Sequence, residues 1–153
     1  MKTKICIVTV LTFCLAACTK TEFNTKPTLE FKSSNSLVFQ RGQLVEFVLK
    51  FTDKEGDIQN NLYIEEVTKD ESCPDNNFNT NETIPVSVPQ TANSEGEILV
   101  KYYYGINDPN AIIPTLPGPK CQRNDTCVFR FALVDKASNS SDTISSPQLV
   151  FVY

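Results

Sequence analysis

Residues 43–52 read Gln-Leu-Val-Glu-Phe-Val-Leu-Lys-Phe-Thr, and this stretch decides the fold. Val45, Phe47, Leu49 and Phe51 alternate with Leu44, Glu46, Val48 and Lys50. A period of two, with β-branched and aromatic residues on one side, predicts a half-buried strand. The same grammar returns in residues 96–105, where Ile98, Val100, Tyr102 and Tyr104 oppose Glu97, Leu99, Lys101 and Tyr103. It returns again where Cys127, Phe129, Phe131 and Leu133 alternate with Val128, Arg130, Ala132 and Val134. In residues 148–153, Leu149, Phe151 and Tyr153 share one face. Shorter strands are expected over 29–32 with 37–40, over 62–67 and over 84–88. No window longer than ten residues outside the N-terminal stretch sustains a helical period. The expectation is an all-β domain of about seven strands folded as an antiparallel β-sandwich.

Ahead of the strands the grammar differs. Lys2 and Lys4 precede an apolar run from Ile5 to Ala17, 13 residues long. A bilayer-spanning helix needs about 20 residues, so the run fits the helical core of a signal peptide. It ends in Leu15-Ala16-Ala17-Cys18, which resembles the lipobox of bacterial lipoproteins. The resemblance implies removal of residues 1–17 and lipid on Cys18, whose acyl chains, palmitate among them, would hold the chain on a membrane. Residues 18–27 then form a lipidated cysteine and short tether, and residues 28–153 the folded domain. Thr19, where an acidic residue would favour the inner membrane, makes the resemblance one to outer-membrane lipoproteins of Gram-negative cells. Which side of that membrane the domain faces stays open.

Two further segments carry a resemblance. Residues 51–58, Phe-Thr-Asp-Lys-Glu-Gly-Asp-Ile, and residues 133–142, Leu-Val-Asp-Lys-Ala-Ser-Asn-Ser-Ser-Asp, resemble turns of immunoglobulin-like extracellular bacterial domains. The first resembles the turn after their second strand, and the second the turn before their last. The implied fold is an immunoglobulin-like β-sandwich, without the Cys-Trp-Cys core of antibody domains. The chain has no tryptophan.

Composition narrows the function. The 153 residues contain no histidine, which excludes a Ser-His-Asp or Cys-His nucleophile and any His-ligated zinc. The net charge is -4, and removing Lys2 and Lys4 with the leader leaves 12 basic against 18 acidic residues, or -6. Phosphate backbones need clustered Lys and Arg, so nucleic acid is not an expected partner. Glu65 and Glu66 are adjacent on a strand and point to opposite faces, so they cannot form a catalytic pair. Asp70 and Glu71 are the other acids on which an enzyme reading would have to rest. The chain is therefore expected not to be an enzyme.

Strand order places candidate residues together. Lettered A to G, the strands put Asp53, Glu55 and Asp57 (after B) at the same end as Asp135 (after F), with Asn139 and Asp142. Calcium takes six to eight oxygen ligands, which such carboxylates could begin to supply. Asp, Asn, Ser and Gly also build turns unaided. At the other end lie Cys73, Cys121 and Cys127. Cys121 with Cys127 closes the shortest loop, and Cys73 is the alternative partner for either. The stretch 105–125 is long and holds Pro109, Pro114, Pro117 and Pro119, with Ile112 and Ile113 as candidate contacts. It reads either as a surface excursion or as a stiffened docking loop. Tyr103 is a candidate sugar or peptide contact, or an ordinary strand residue. The expected function is a membrane-anchored, non-catalytic binding or adhesion module at the cell envelope, its partner an envelope protein or a glycan. The alternatives are a structural accessory subunit of an envelope complex and a calcium-stabilised carbohydrate-binding module. No cofactor other than calcium is expected.

Overall fold

Alternation in the sequence becomes alternation in burial. In a computed structural model describing residues 26–58, 61–68, 81–86, 95–106, 108, 110–119 and 121–153, Val45, Phe47, Leu49 and Phe51 are buried while their neighbours are half-exposed. The strands are β1 (Thr28–Ser34), β2 (Val38–Phe39), β3 (Leu44–Thr52), β4 (Asn61–Thr68), β5 (Asn81–Pro85), β6 (Glu95–Tyr104), β7 (Thr115–Leu116), β8 (Asp125–Val134), β9 (Ile144–Ser145) and β10 (Leu149–Phe151). The described residues contain no helix. The leader 1–17, Cys18 and most of the tether lie outside them.

The strands form two sheets. One runs β1-β3-β6-β7 and the other β2-β10-β8-β4-β5, with β9 continuing β10's side of β8. Their inner faces meet in an aromatic seam. Phe47 of β3 lies 4.9 Å from Phe129 of β8, Phe31 of β1 lies 6.3 Å from Phe131, and Tyr104 of β6 lies 4.9 Å from Phe151 of β10, all centroid to centroid. Aromatic pairs at these separations add about 0.5–1.5 kcal/mol each beyond the apolar area they bury. The Tyr104 hydroxyl donates to the Val152 carbonyl at 2.6 Å, so its polar end is satisfied inside the core. Burial pushes that phenol up to about 12.

Five expectations are corrected. The sandwich is not purely antiparallel, because β2 runs parallel to β10 and β7 parallel to β6. The first strand causes one of these: β1 pairs with β3, then the chain crosses to the opposite sheet as β2. The stretch 105–125 is not wholly irregular, since Leu116 of β7 is fully buried and Gly105 donates to its carbonyl. The last strand, expected over 148–153, spans only Leu149–Phe151, and an unexpected short β9 precedes it across Pro147, which has no N–H for the ladder. Ser146 repairs the gap: its hydroxyl accepts from the Phe129 N–H at 2.9 Å and its own N–H donates to the Phe129 carbonyl. Finally, Cys127 is a free, buried thiol, so the Cys121–Cys127 bridge is not made. Cys127 points into the core between Asp125 and Phe129, whereas Cys121 is exposed on the preceding loop. The alternative partner, Cys73, lies outside the described residues. The fifth strand starts before residue 84, at Asn81, and residues 87 and 88 fall outside the described residues.

Candidate functional site

The turns after β3 and β8 are two copies of one device. Each begins Asp-Lys, at Asp53-Lys54 and at Asp135-Lys136. In each, the Asp carboxylate accepts from the N–H four residues on: Asp57 to Asp53 Oδ2 at 2.8 Å, and Asn139 to Asp135 Oδ1 at 2.7 Å. The residue before that donor adopts φ of +69° in both, Gly56 in one and Ser138 in the other. A carboxylate folded back onto its own backbone is what allows such a tight reversal. Glycine takes the left-handed conformation without cost, whereas Ser138 adopts it against its Cβ. The Lys136 N–H donates to the Asp57 carbonyl at 3.0 Å and locks the two turns side by side.

Three of the four acids expected to meet do so. Glu55, Asp57 and Asp135 bring one oxygen each within 4.8 Å of one another. Asp53 is buried and committed to its own turn, accepting also from the Glu55 N–H at 3.3 Å. Asp135 spends both oxygens on Asn139. Asp57 is the odd member, an acid where the twin turn carries Asn139. Its Oδ1 is buried without a hydrogen-bond partner. Loss of solvent raises the Asp57 carboxyl above its ordinary 3.8, and the charges of Asp135 and Asp53 push it further up.

The sign of the linkage follows from that direction. A carboxyl raised in the folded state binds more protons there than in the unfolded chain, so its contribution to stability falls as pH rises above 3.8. Replacing it by an amide removes the repulsion and supplies a donor, as Asn139 does in the twin turn. Asp57→Asn is therefore expected to raise the melting temperature at pH 7 by a few degrees, a gain under about 1 kcal/mol. The gain should shrink towards pH 3.8, and melts at the two pH values check it.

The other candidates scatter. Tyr103 is only half-exposed, on the outer face opposite the buried Tyr102 and Tyr104. Ile112 is fully exposed in the stretch leading into β7, and Ile113 is half-buried beside it. Glu65 is exposed and pairs with Arg130 at 3.6 Å across the β4–β8 ladder, while Glu66 turns inward. A groove of about 340 Å³ lies between the sheets, lined by Ile84 and Pro85 of β5 and Ile98 and Val100 of β6.

The described N-terminus enters at the acidic end. Thr28 pairs with Thr52, and Lys26 Nζ contacts Asp142 Oδ1 at 2.6 Å. Strands β1 and β8 carry the chain away from it and towards it, respectively. The turn at Arg41-Gly42, Gly105, Leu116 and Tyr153 thus lie at the far end, where Arg41 stacks over the Tyr153 ring at 5.0 Å. Of the seven exposed large hydrophobic residues among the described ones, Leu37, Val38, Ile106 and Tyr153 belong to segments of this far half, and Ile112 to the stretch that leaves it at Gly105 and returns by Leu116.

No protein-family model matches the chain, and no curated protein matches it.

Proposed function

We propose that the chain is a lipid-anchored lipoprotein of the bacterial outer membrane whose immunoglobulin-like domain binds a partner through its far half, without catalysis. The anchor reading rests on Leu15-Ala16-Ala17-Cys18. The fold reading rests on the strand order, with β1-β3-β6 facing β10-β8-β4-β5 and a first strand shared between the sheets. The non-catalytic reading rests on the absence of histidine from the sequence.

The observation that carries the binding reading is the separation of charge from apolar exposure. A tether of eight residues, 19–26, holds the Lys26 end near the membrane. The acidic turns then face the lipid, and Ile112, Ile106, Leu37, Val38 and Tyr153 face outward. Exposed apolar residues gathered on one side mark interaction surfaces. An envelope protein or glycan docking there fits equally a binding module and an accessory subunit.

In cells, a photoreactive residue at position 112 is expected to crosslink the anchored protein to an envelope component, while one at position 54 is not. No adduct from position 112, or equal adducts from both ends, would overturn the assignment of the far half. Calcium at Glu55, Asp57 and Asp135 is the second reading, supported by the partnerless Asp57 Oδ1. It requires millimolar calcium to raise the melting temperature of the wild type and not of Asp57→Asn.

A further inference from the structure

The interior face of the larger sheet becomes polar towards the far end. Along β4, Leu62 and Ile64 are followed at the same period by Glu66, and along β8, Phe131 and Phe129 are followed by Cys127 and Asp125. Glu66 is 5% exposed, and Asp125 and Cys127 are not exposed at all. One oxygen from each carboxylate and the Cys127 sulfur lie within 4.8 Å of one another. Two acids and a thiol thus converge in a core that is otherwise aromatic and aliphatic.

Asp125 supplies an independent sign of a missing partner. Its Oδ1 accepts from the Thr68 hydroxyl at 2.7 Å and from the Thr126 N–H at 2.8 Å, which fixes the carboxylate rigidly. Its Oδ2 is buried with no hydrogen-bond partner. A fully buried carboxylate oxygen left unpaired costs free energy that a cation would recover.

We propose that Glu66, Asp125 and Cys127 form a buried structural site for a zinc ion. The donor set selects the metal. A sulfur ligand disfavours calcium and magnesium, which take oxygen only, and two carboxylates disfavour the softest ions. Zinc accepts both donor types and binds three protein ligands readily, with a hydroxyl or water as the fourth. Binding replaces the thiol proton: the sulfur–hydrogen bond breaks, a sulfur–zinc bond forms, and one proton leaves to solvent. The ion would clamp the Thr68 end of β4 to the start of β8, beneath the outward-facing half of the domain.

Cobalt(II) tests this in the whole lipoprotein, extracted in detergent, stripped with chelator in denaturant and refolded with the metal. The expected result is one cobalt per chain after desalting, with a thiolate-to-cobalt charge-transfer band. Cys127→Ser should abolish the band, and Asp125→Asn should weaken binding at least tenfold. Glu65→Gln, on the outer face of β4, should leave both unchanged. Should Cys127→Ser fail to fold, the wild-type band and stoichiometry decide alone. No retained cobalt in the wild type, no thiolate band, or a band that persists in Cys127→Ser would overturn the site.

Discussion

Phe129→Ala is expected to remove about 3–5 kcal/mol of stability, the ordinary cost of emptying a core phenylalanine site. Phe129 is fully buried at the centre of the seam, 4.9 Å from Phe47 in the facing sheet, 6.4 Å from Phe131 and 6.2 Å from Phe151. Its ring therefore joins both sheets and three strands, and no neighbour can fill the space without leaving its own packing. Domains of this size hold together with roughly 5–15 kcal/mol, so the loss is a large share of the whole. Val128→Ala, on the outer face of the same strand, should cost well under half as much. Urea unfolding of the two variants measures the difference. Similar losses would mean that the seam does not carry the fold.

Cys18→Ala is expected to have the largest effect on where the protein resides. If Cys18 bears the lipid, the variant incorporates no palmitate, and the signal peptide is not removed, because cleavage follows lipidation. The product should be longer than the wild type by the 17 residues of the leader. A single fatty chain binds membranes only marginally, whereas two or more hold stably, so the unlipidated domain has no anchor of its own once the leader is trimmed. Metabolic labelling with palmitate, followed by electrophoresis, checks both points. Label retained by Cys18→Ala would place the lipid elsewhere.

The long strands were legible because their period is long enough to be seen. Val45 to Phe51, Ile98 to Tyr104 and Cys127 to Leu133 each keep one face apolar over four alternations, and each inner face lies on the core side of its sheet. The two-residue strands β2, β7 and β9 carry no period, so neither the parallel pairings of β2 and β7 nor the antiparallel pairing of β9 could be read. The acidic end was legible through the strand order, which put the turns after the second and sixth expected strands at one end. That Asp53 would be consumed by its own backbone was not, because the same residues serve a turn or a cation until the hydrogen bonds are known.

Cysteine pairing shows the opposite failure. Alternation already placed Cys127 on the face of Phe129 and Phe131, and an inward thiol cannot reach an exposed Cys121 six residues earlier. Sequence proximity outweighed the strand's period in the expected bridge, and the period was the better guide. The same period placed Glu66 in line with Leu62 and Ile64. A buried acid and a buried thiol on neighbouring strands were thus visible in the sequence, although their convergence depends on the β4–β8 register, in which Thr68 faces Cys127 and Glu66 faces Phe129.

The domain's orientation, and with it the proposed binding half, depends on attachment at the N-terminus. Intact mass of the protein extracted from membranes tests this most directly. The account predicts a chain that begins at Cys18 and carries a diacylglyceryl group on sulfur and a further acyl group on nitrogen. A chain that begins at any other residue, or one that begins at Cys18 with an unmodified thiol, would contradict it.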